Sequence, residues 1–168
     1  MKHGQRKEVK RGNTAIKRTS HSVPYRAHIK AGRLQGRILD YGCGRGYDVE
    51  ALRAQGLDIH GFDKFQPEWG DRPAGEFDVV TCNYVLNVIE DPAERQQVIQ
   101  ELKTLGRDVY ITVRSDVKSI KGNWEPMADG YYTSGKTFQK IYTADMVREE
   151  FGPVEILMAN STGIMFRV

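Results

Sequence analysis

The stretch "ILDYGCGRGYDVEAL", residues 38–52, constrains this chain more than any other. Three glycines at alternate positions, Gly42, Gly44 and Gly46, stand between a short apolar run at 37–41 and a helix-forming segment at 47–55. A strand that passes through a glycine turn straight into a helix opens a parallel α/β sheet. The turn brings backbone N–H groups and the helix N-terminus up to a ligand at the strand's carboxyl end. A second short run at 58–63, "DIHGFD", ends on Asp63, 21 residues after Gly42. An acid so placed suits a carboxylate that accepts hydrogen bonds from both hydroxyls of a ribose.

The rest of the chain repeats the alternation. Ser22-Val23-Pro24 reads as a helix start with Gly32 near its end, and 76–85 as a strand leading into a loop. Asp91-Pro92-Ala93-Glu94 combines an N-cap acid with a first-position proline, starting a helix to about Thr104 with Gly106 as its stop. A buried strand follows at 108–113, then a polar stretch at 115–136 expected as an irregular insertion. Thr143 caps a short helix to Phe151, and 154–159 with 163–168 form a closing hairpin around 160–162. Alternating strands and helices imply a mostly parallel, doubly wound sheet with helices on both faces. The hairpin adds an antiparallel edge.

At 168 residues, with 39% hydrophobic residues, the chain supports one core and one domain, expected over 21–168. No run of about 18 apolar residues and no apolar leader occurs, and two cysteines cannot build a disulfide framework, so a reduced, cytoplasmic protein is expected. Charge is uneven. Residues 1–37 hold eleven Lys/Arg against Glu8 alone, whereas the remainder holds 14 basic and 21 acidic residues. Residues 1–20 lack apolar periodicity and read as a flexible basic arm, either a nucleic-acid contact or a solubilising tail.

Charge also separates two candidate cofactors. A pyrophosphate would be repelled by Asp40 immediately before the glycines, whereas the sulfonium and ammonium of S-adenosylmethionine would be stabilised there. With "GFD", "FDVVTCNYVLNVIEDPAERQQVI", "VYITVRSD" and "GKTFQKIYT", the glycine loop resembles the class I S-adenosylmethionine-dependent methyltransferases. More narrowly, it resembles the methyltransferases associated with DNA phosphorothioation and small phage-encoded relatives. "CNYVLNVIEDPAER" carries most of that likeness, and "GNTAIKRTSHSVP" resembles the group's leader.

The resemblance implies a Rossmann-like fold binding S-adenosyl-L-methionine. Asp40 and Tyr41 would lead into the site, with Gly42, Cys43 and Gly44 lining the methionine part through backbone groups. Asp63 would hold the ribose and Lys64 or Phe65 would border the adenine. Cys82, Asn83 and Tyr84 would face the transferring methyl. Only 14 residues separate Asp63 from Asp78, where larger members insert a strand, a helix and an adenine-contacting acid. The third-strand region is therefore shortened, and Trp69 or an aromatic neighbour is left to hold the adenine.

Methyl transfer from an activated sulfonium depends mainly on positioning. The amino-methyltransferase signature of Asn or Asp followed by Pro-Pro-aromatic is absent, and "CNYV" stands in its place. Asn83 can hydrogen-bond an amino group and Tyr84 can stack on a base; alternatively they cap the strand and fill the core. Cys82 follows Thr81 rather than proline, so it reads as a small buried residue and not as a nucleophile. His21 and His28 have no companions that complete a metal set. Arg114 is a candidate contact for an anionic substrate, or else a structural partner of Asp116. Lys136 belongs to a cationic, aromatic stretch suited to nucleic acid.

"GYYTSGKT", 130–137, matches the P-loop spacing, yet "FQKIYT" follows it and reads as extended rather than helical. A triphosphate site is rejected. The expected function is methyl transfer to nucleic acid. The rivals are a small-molecule methyltransferase and a non-catalytic cofactor-binding regulator.

Overall fold

The computed structural model describes residues 7–120 and 122–168. Met1–Arg6, with two of the eleven basic residues counted above, and Lys121 lie outside it. Six strands form the central sheet: β1 Ile38–Tyr41, β2 Ile59–Phe62, β3 Phe77–Asn83, β4 Gly106–Arg114, β8 Glu155–Ala159 and β9 Gly163–Arg167. Their order is β2-β1-β3-β4-β9-β8. The first four run parallel, and β9 lies antiparallel between β4 and β8. Strand order reverses at β1, so the neighbouring carboxyl ends of β1 and β3 flank the crevice where ligands bind in such sheets.

Side-chain alternation sorts the strands' residues onto two faces. Ile38, Val79 and Tyr110 pack with Tyr25 of α1 (Val23–Lys30) and with Val49 and Leu52 of α2 (Tyr47–Ala54). Leu39, Val80, Cys82 and Ile111 pack with Val98, Ile99 and Leu102 of α3 (Pro92–Leu105) and Val147 of α4 (Ala144–Phe151). The local signals act as their chemistry dictates. Asp91 accepts from the Ala93 N–H at 2.9 Å with Pro92 at the first helical position, and Thr143 accepts from Met146. Asn160 closes the hairpin by accepting from the N–H groups of Thr162 and Gly163.

The stretch expected to be irregular, 115–136, is partly ordered as strand. It contributes β5 Glu125–Met127 and β6 Gly130–Tyr132, which pair antiparallel with each other, and β6 pairs in turn with β7 Phe138–Gln139 in a second, small sheet. Strands of two or three residues are too short to leave a readable alternation. "GYYTSGKT" is therefore β6 and its turn, stitched by Thr133 and Thr137, and it runs into the strand β7 rather than into a helix. The small sheet is anchored at the main sheet's carboxyl edge, where Lys140 N–H donates to Asn87 and Tyr142 N–H to Arg114. Behind it the fully buried Arg95 bridges Asp129 and Glu150, and Lys140 joins the same two acids. Removing Arg95 would leave Lys140 to neutralise both acids and would empty a buried side-chain site, a loss of about 3 kcal/mol.

Candidate functional site

A pocket opens over the carboxyl ends of β1, β2 and β3, and the glycine loop forms its floor. Gly42 (φ +77°) and Gly46 (φ +78°) hold left-handed backbone, and the space a Cβ would need is taken. At Gly42 it would lie 2.2 Å from Val85 Cγ2, and at Gly46 2.2 Å from Trp69 Cζ2. Only glycine meets both demands. Gly42 and Cys43 donate their N–H groups to Phe62 O, which ties the loop to β2.

Asp63, just beyond β2, holds the loop from the other side. Oδ2 accepts from Gly44 N–H and Oδ1 from Phe65 N–H, both at 2.9 Å. Each carboxylate oxygen retains a free lone pair for a ligand hydroxyl. Asp40, 4% exposed, sits beneath the loop. Burial pushes its carboxyl up to about 7, helped by Asp48 and Asp63 and opposed by hydrogen bonds with Thr81 and Tyr25. A buried acid poised near neutrality favours a cationic ligand group, which would pull it into the ionised form.

β3 ends at Asn83, whose amide oxygen and nitrogen are buried beside the pocket with no hydrogen-bond partner among the described residues. Orphaned polar atoms at a pocket wall mark a place where a ligand completes the bonding. Tyr84 follows with φ 59°, a strained conformation for a bulky residue, pinned by its N–H to Thr112 O at 2.7 Å. Burial raises its phenol above the ordinary range, so the hydroxyl stays protonated and serves as a donor.

Of the residues singled out from sequence, Asp40, Tyr41, Gly42, Cys43, Gly44, Asp63, Lys64, Asn83 and Tyr84 line this pocket, as does Phe65. Others do not. Cys82 is fully buried in the α3-side core, because strand alternation turns it away from its neighbours' face, and burial raises its thiol. Arg114 pairs with Asp116 at 3.0 Å and lies 5.7 Å over the Trp124 ring, outside the pocket lining. Lys136 acts through its backbone: its carbonyl accepts from Lys10 N–H at 2.7 Å. Trp69 packs against Gly46 and Gly61 outside the pocket lining. His28 is buried and held neutral near about 4 by desolvation and Arg33. Among the described residues no group of His, Cys, Asp and Glu is arranged to hold a metal.

The residues missed are those of the leader. Arg11, Gly12, Thr14, Ala15, Ile16 and Arg18 all line the pocket. Within the stretch expected as a flexible arm, Arg11–Thr14 forms a 3-10 turn and Lys7 pairs with Glu125. The available signal was the likeness of "GNTAIKRTSHSVP" to a family leader; no periodicity marks an extended segment that packs through single side chains.

A glycine loop in left-handed backbone, a carboxylate with free lone pairs, a near-neutral buried acid and an orphaned amide meet in one pocket at the carboxyl edge of an α/β sheet. Residues 13–149 match the family model described as "Methyltransferase domain", and the chain belongs to that family. It is a class I S-adenosylmethionine-dependent methyltransferase domain, with S-adenosyl-L-methionine as its cofactor. Among curated proteins it is 28% identical over 117 residues to the ubiquinone biosynthesis O-methyltransferase of Acinetobacter baumannii (strain AYE), covering 54% of this chain and 49% of that one. It is 29% identical over 108 residues to the protein of that name from Escherichia coli O139:H28, covering 49% and 45%. The chain thus spans about half the length of the curated relatives it matches.

Solved structures share the fold. The PH0226 protein of Pyrococcus horikoshii OT3 superposes with a TM-score of 0.64 at 16% identity, covering 88% of this chain and 91% of that one. The magnesium protoporphyrin IX methyltransferase of Synechocystis PCC 6803, with bound S-adenosylhomocysteine, gives 0.56 at 15%, covering 94% and 91%. The 1,6-didemethyltoxoflavin-N1-methyltransferase of Burkholderia thailandensis gives 0.55 at 18%, covering 86% and 76%. No helix among the described residues is long and apolar enough to cross a membrane.

Proposed function

We propose that this domain methylates an oxygen or nitrogen atom of a small-molecule acceptor. The observation that carries this reading is the leader's position. Arg11 lies between Glu90 and Glu94, and Lys7 pairs with Glu125, so two of the charges counted toward a nucleic-acid contact are neutralised within the chain. A cation already paired releases no counterions on binding phosphate and adds little affinity. The small molecules in the names of the relatives, a ubiquinone precursor pathway, a porphyrin and a toxoflavin precursor, support the same reading. The likeness to phosphorothioation-associated and phage proteins is the ground for the alternative, a nucleic-acid acceptor.

The residues suit the cofactor. The backbone of the Gly42–Gly44 loop would line the methionine end beside Asp40, Asp63 would hold the ribose, and Lys64 and Phe65 would border the base. The bound cofactor supplies an electrophilic methyl on sulfur. Asn83 would orient the acceptor through its amide and Tyr84 would donate from its phenol, so positioning carries the catalysis. Incubation with methyl-labelled cofactor and separate DNA, RNA and small-molecule pools tests the reading. Label is expected in the small-molecule pool; label confined to nucleic acid overturns it.

Asp40 gives a second test. Free protein holds a proton on Asp40 until about pH 7, whereas the ligand's ammonium selects the carboxylate. Binding therefore releases a proton, and affinity for S-adenosylhomocysteine should rise about tenfold from pH 6 to pH 8. Asp40→Asn should bind more weakly and show a flat profile by titration calorimetry. Unliganded stability moves the opposite way: the fold retains a proton that the unfolded chain gives up, so stability falls as pH rises from about 4 through 7.

A further inference from the structure

We propose that the leader, residues 11–18, is one wall of the cofactor site, and that Arg11 is the positioning residue that holds it there. This rests on the reading that the pocket takes an S-adenosyl cofactor. β2 is the edge strand of the sheet, and between Asp63 and β3 the only regular element is the 3-10 turn Pro67–Trp69. That turn packs inward on Gly46 and Gly61, so from this stretch only residues 64–66 reach the pocket. The nucleoside end would stand open beside Phe65, itself 47% exposed.

The leader fills the gap. Gly12 lies on Phe65, where an added Cβ would be 3.6 Å from the Phe65 Cβ. Three residues on, the Ala15 Cβ lies 3.6 Å from where one would stand on Gly44. The strip therefore crosses from the segment after β2 to the glycine loop.

One side chain fixes it. Arg11 Nη1 and Nη2 donate to the two oxygens of Glu94 at 2.6 and 2.7 Å, and Nε and Nη2 donate to Glu90 Oε2 at 3.1 and 2.9 Å. The guanidinium side chain is only 15% exposed. The two glutamates flank the Asp91 cap of α3, so the leader is tied to a rigid helix start. A planar fork bridging two carboxylates cannot be replaced by an ammonium, which offers one point charge. Without Arg11, Glu90 and Glu94 would be left like-charged neighbours with Lys64, 3.4 Å from Glu94, as their remaining cation among the described residues, and the leader would lose its tie to α3.

The experiment is calorimetric and stopped-flow binding of S-adenosylhomocysteine to the full chain and its variants. Arg11→Gln should weaken binding about tenfold or more, mainly through faster dissociation, and Arg11→Lys should recover only part of it. The double variant Glu90→Gln/Glu94→Gln removes the tie from the other side and should show the same loss, which keeps the test decisive if Arg11→Gln does not fold. Tryptic cleavage at Lys17 and Arg18 should slow when S-adenosylhomocysteine is bound to the parent chain and not in the variants, a response that a merely structural Arg11 would not give. Binding to the parent chain with unchanged affinity and dissociation in the folded variants overturns this inference alone. No binding to the parent chain overturns the cofactor reading and the inference with it.

Discussion

Asp63→Ala should lower affinity for S-adenosylhomocysteine by about 100-fold or more, measured by calorimetry on folded protein. Two losses combine. The carboxylate holds Gly44 N–H on one oxygen and Phe65 N–H on the other, so its removal frees both the glycine loop and the chain beyond β2. Hydrogen bonds to a charged group contribute about 1.5–3 kcal/mol each, and any bond the carboxylate makes to the ribose is lost as well. Asp63→Asn separates the two parts. An amide keeps one acceptor oxygen and the side chain's shape, but it has to turn an N–H₂ toward one of the two backbone donors. It should fall between the parent and alanine. An Asp63→Ala protein that binds as tightly as the parent would mean the ribose lies elsewhere.

The elements of that site were readable because each is enforced locally. Gly42 and Gly46 occupy left-handed backbone against Val85 and Trp69, a demand one residue type alone satisfies. Asp91 and Thr143 announce helix starts through hydrogen bonds two or three residues away. Asp63 is fixed by its place at the end of a strand. What escaped the sequence depends on non-local partners. Arg11 acquires its role only when Glu90 and Glu94, about 80 residues on, come to meet it. Charge counting places Arg11 on an arm because composition does not record pairing. Trp69 shows the reverse error: an aromatic near the expected adenine is drawn inward because two glycines, Gly46 and Gly61, leave it room. The family resemblance places Cys82 in the pocket with Asn83, yet neighbours along a strand point to opposite faces. The small sheet was missed because its strands are shorter than one full alternation.

Asn83→Ala should reduce kcat about 100-fold while leaving affinity for S-adenosylhomocysteine and thermal stability essentially unchanged. The separation follows from the orphaned amide. In the free protein both of its polar atoms are buried without partners among the described residues, a cost of about 1–3 kcal/mol for each group left unsatisfied. Removing them relieves that cost and offsets the small packing loss, so a fold that keeps Asn83 does so for something other than stability. Tyr84 repeats the pattern, since its φ of 59° is also a cost borne beside the pocket. An acceptor that donates to the amide oxygen or accepts from the amide nitrogen turns the cost into orientation of its reacting atom, at a place the cofactor-holding loop does not reach. Tyr84→Phe should cause a smaller fall, because it keeps the ring and removes only the donor. The decisive comparison is kcat beside melting temperature for Asn83→Ala. Full activity would show that the acceptor binds without the amide, and a large drop in melting temperature would show that Asn83 is a structural residue whose partners form within the fold.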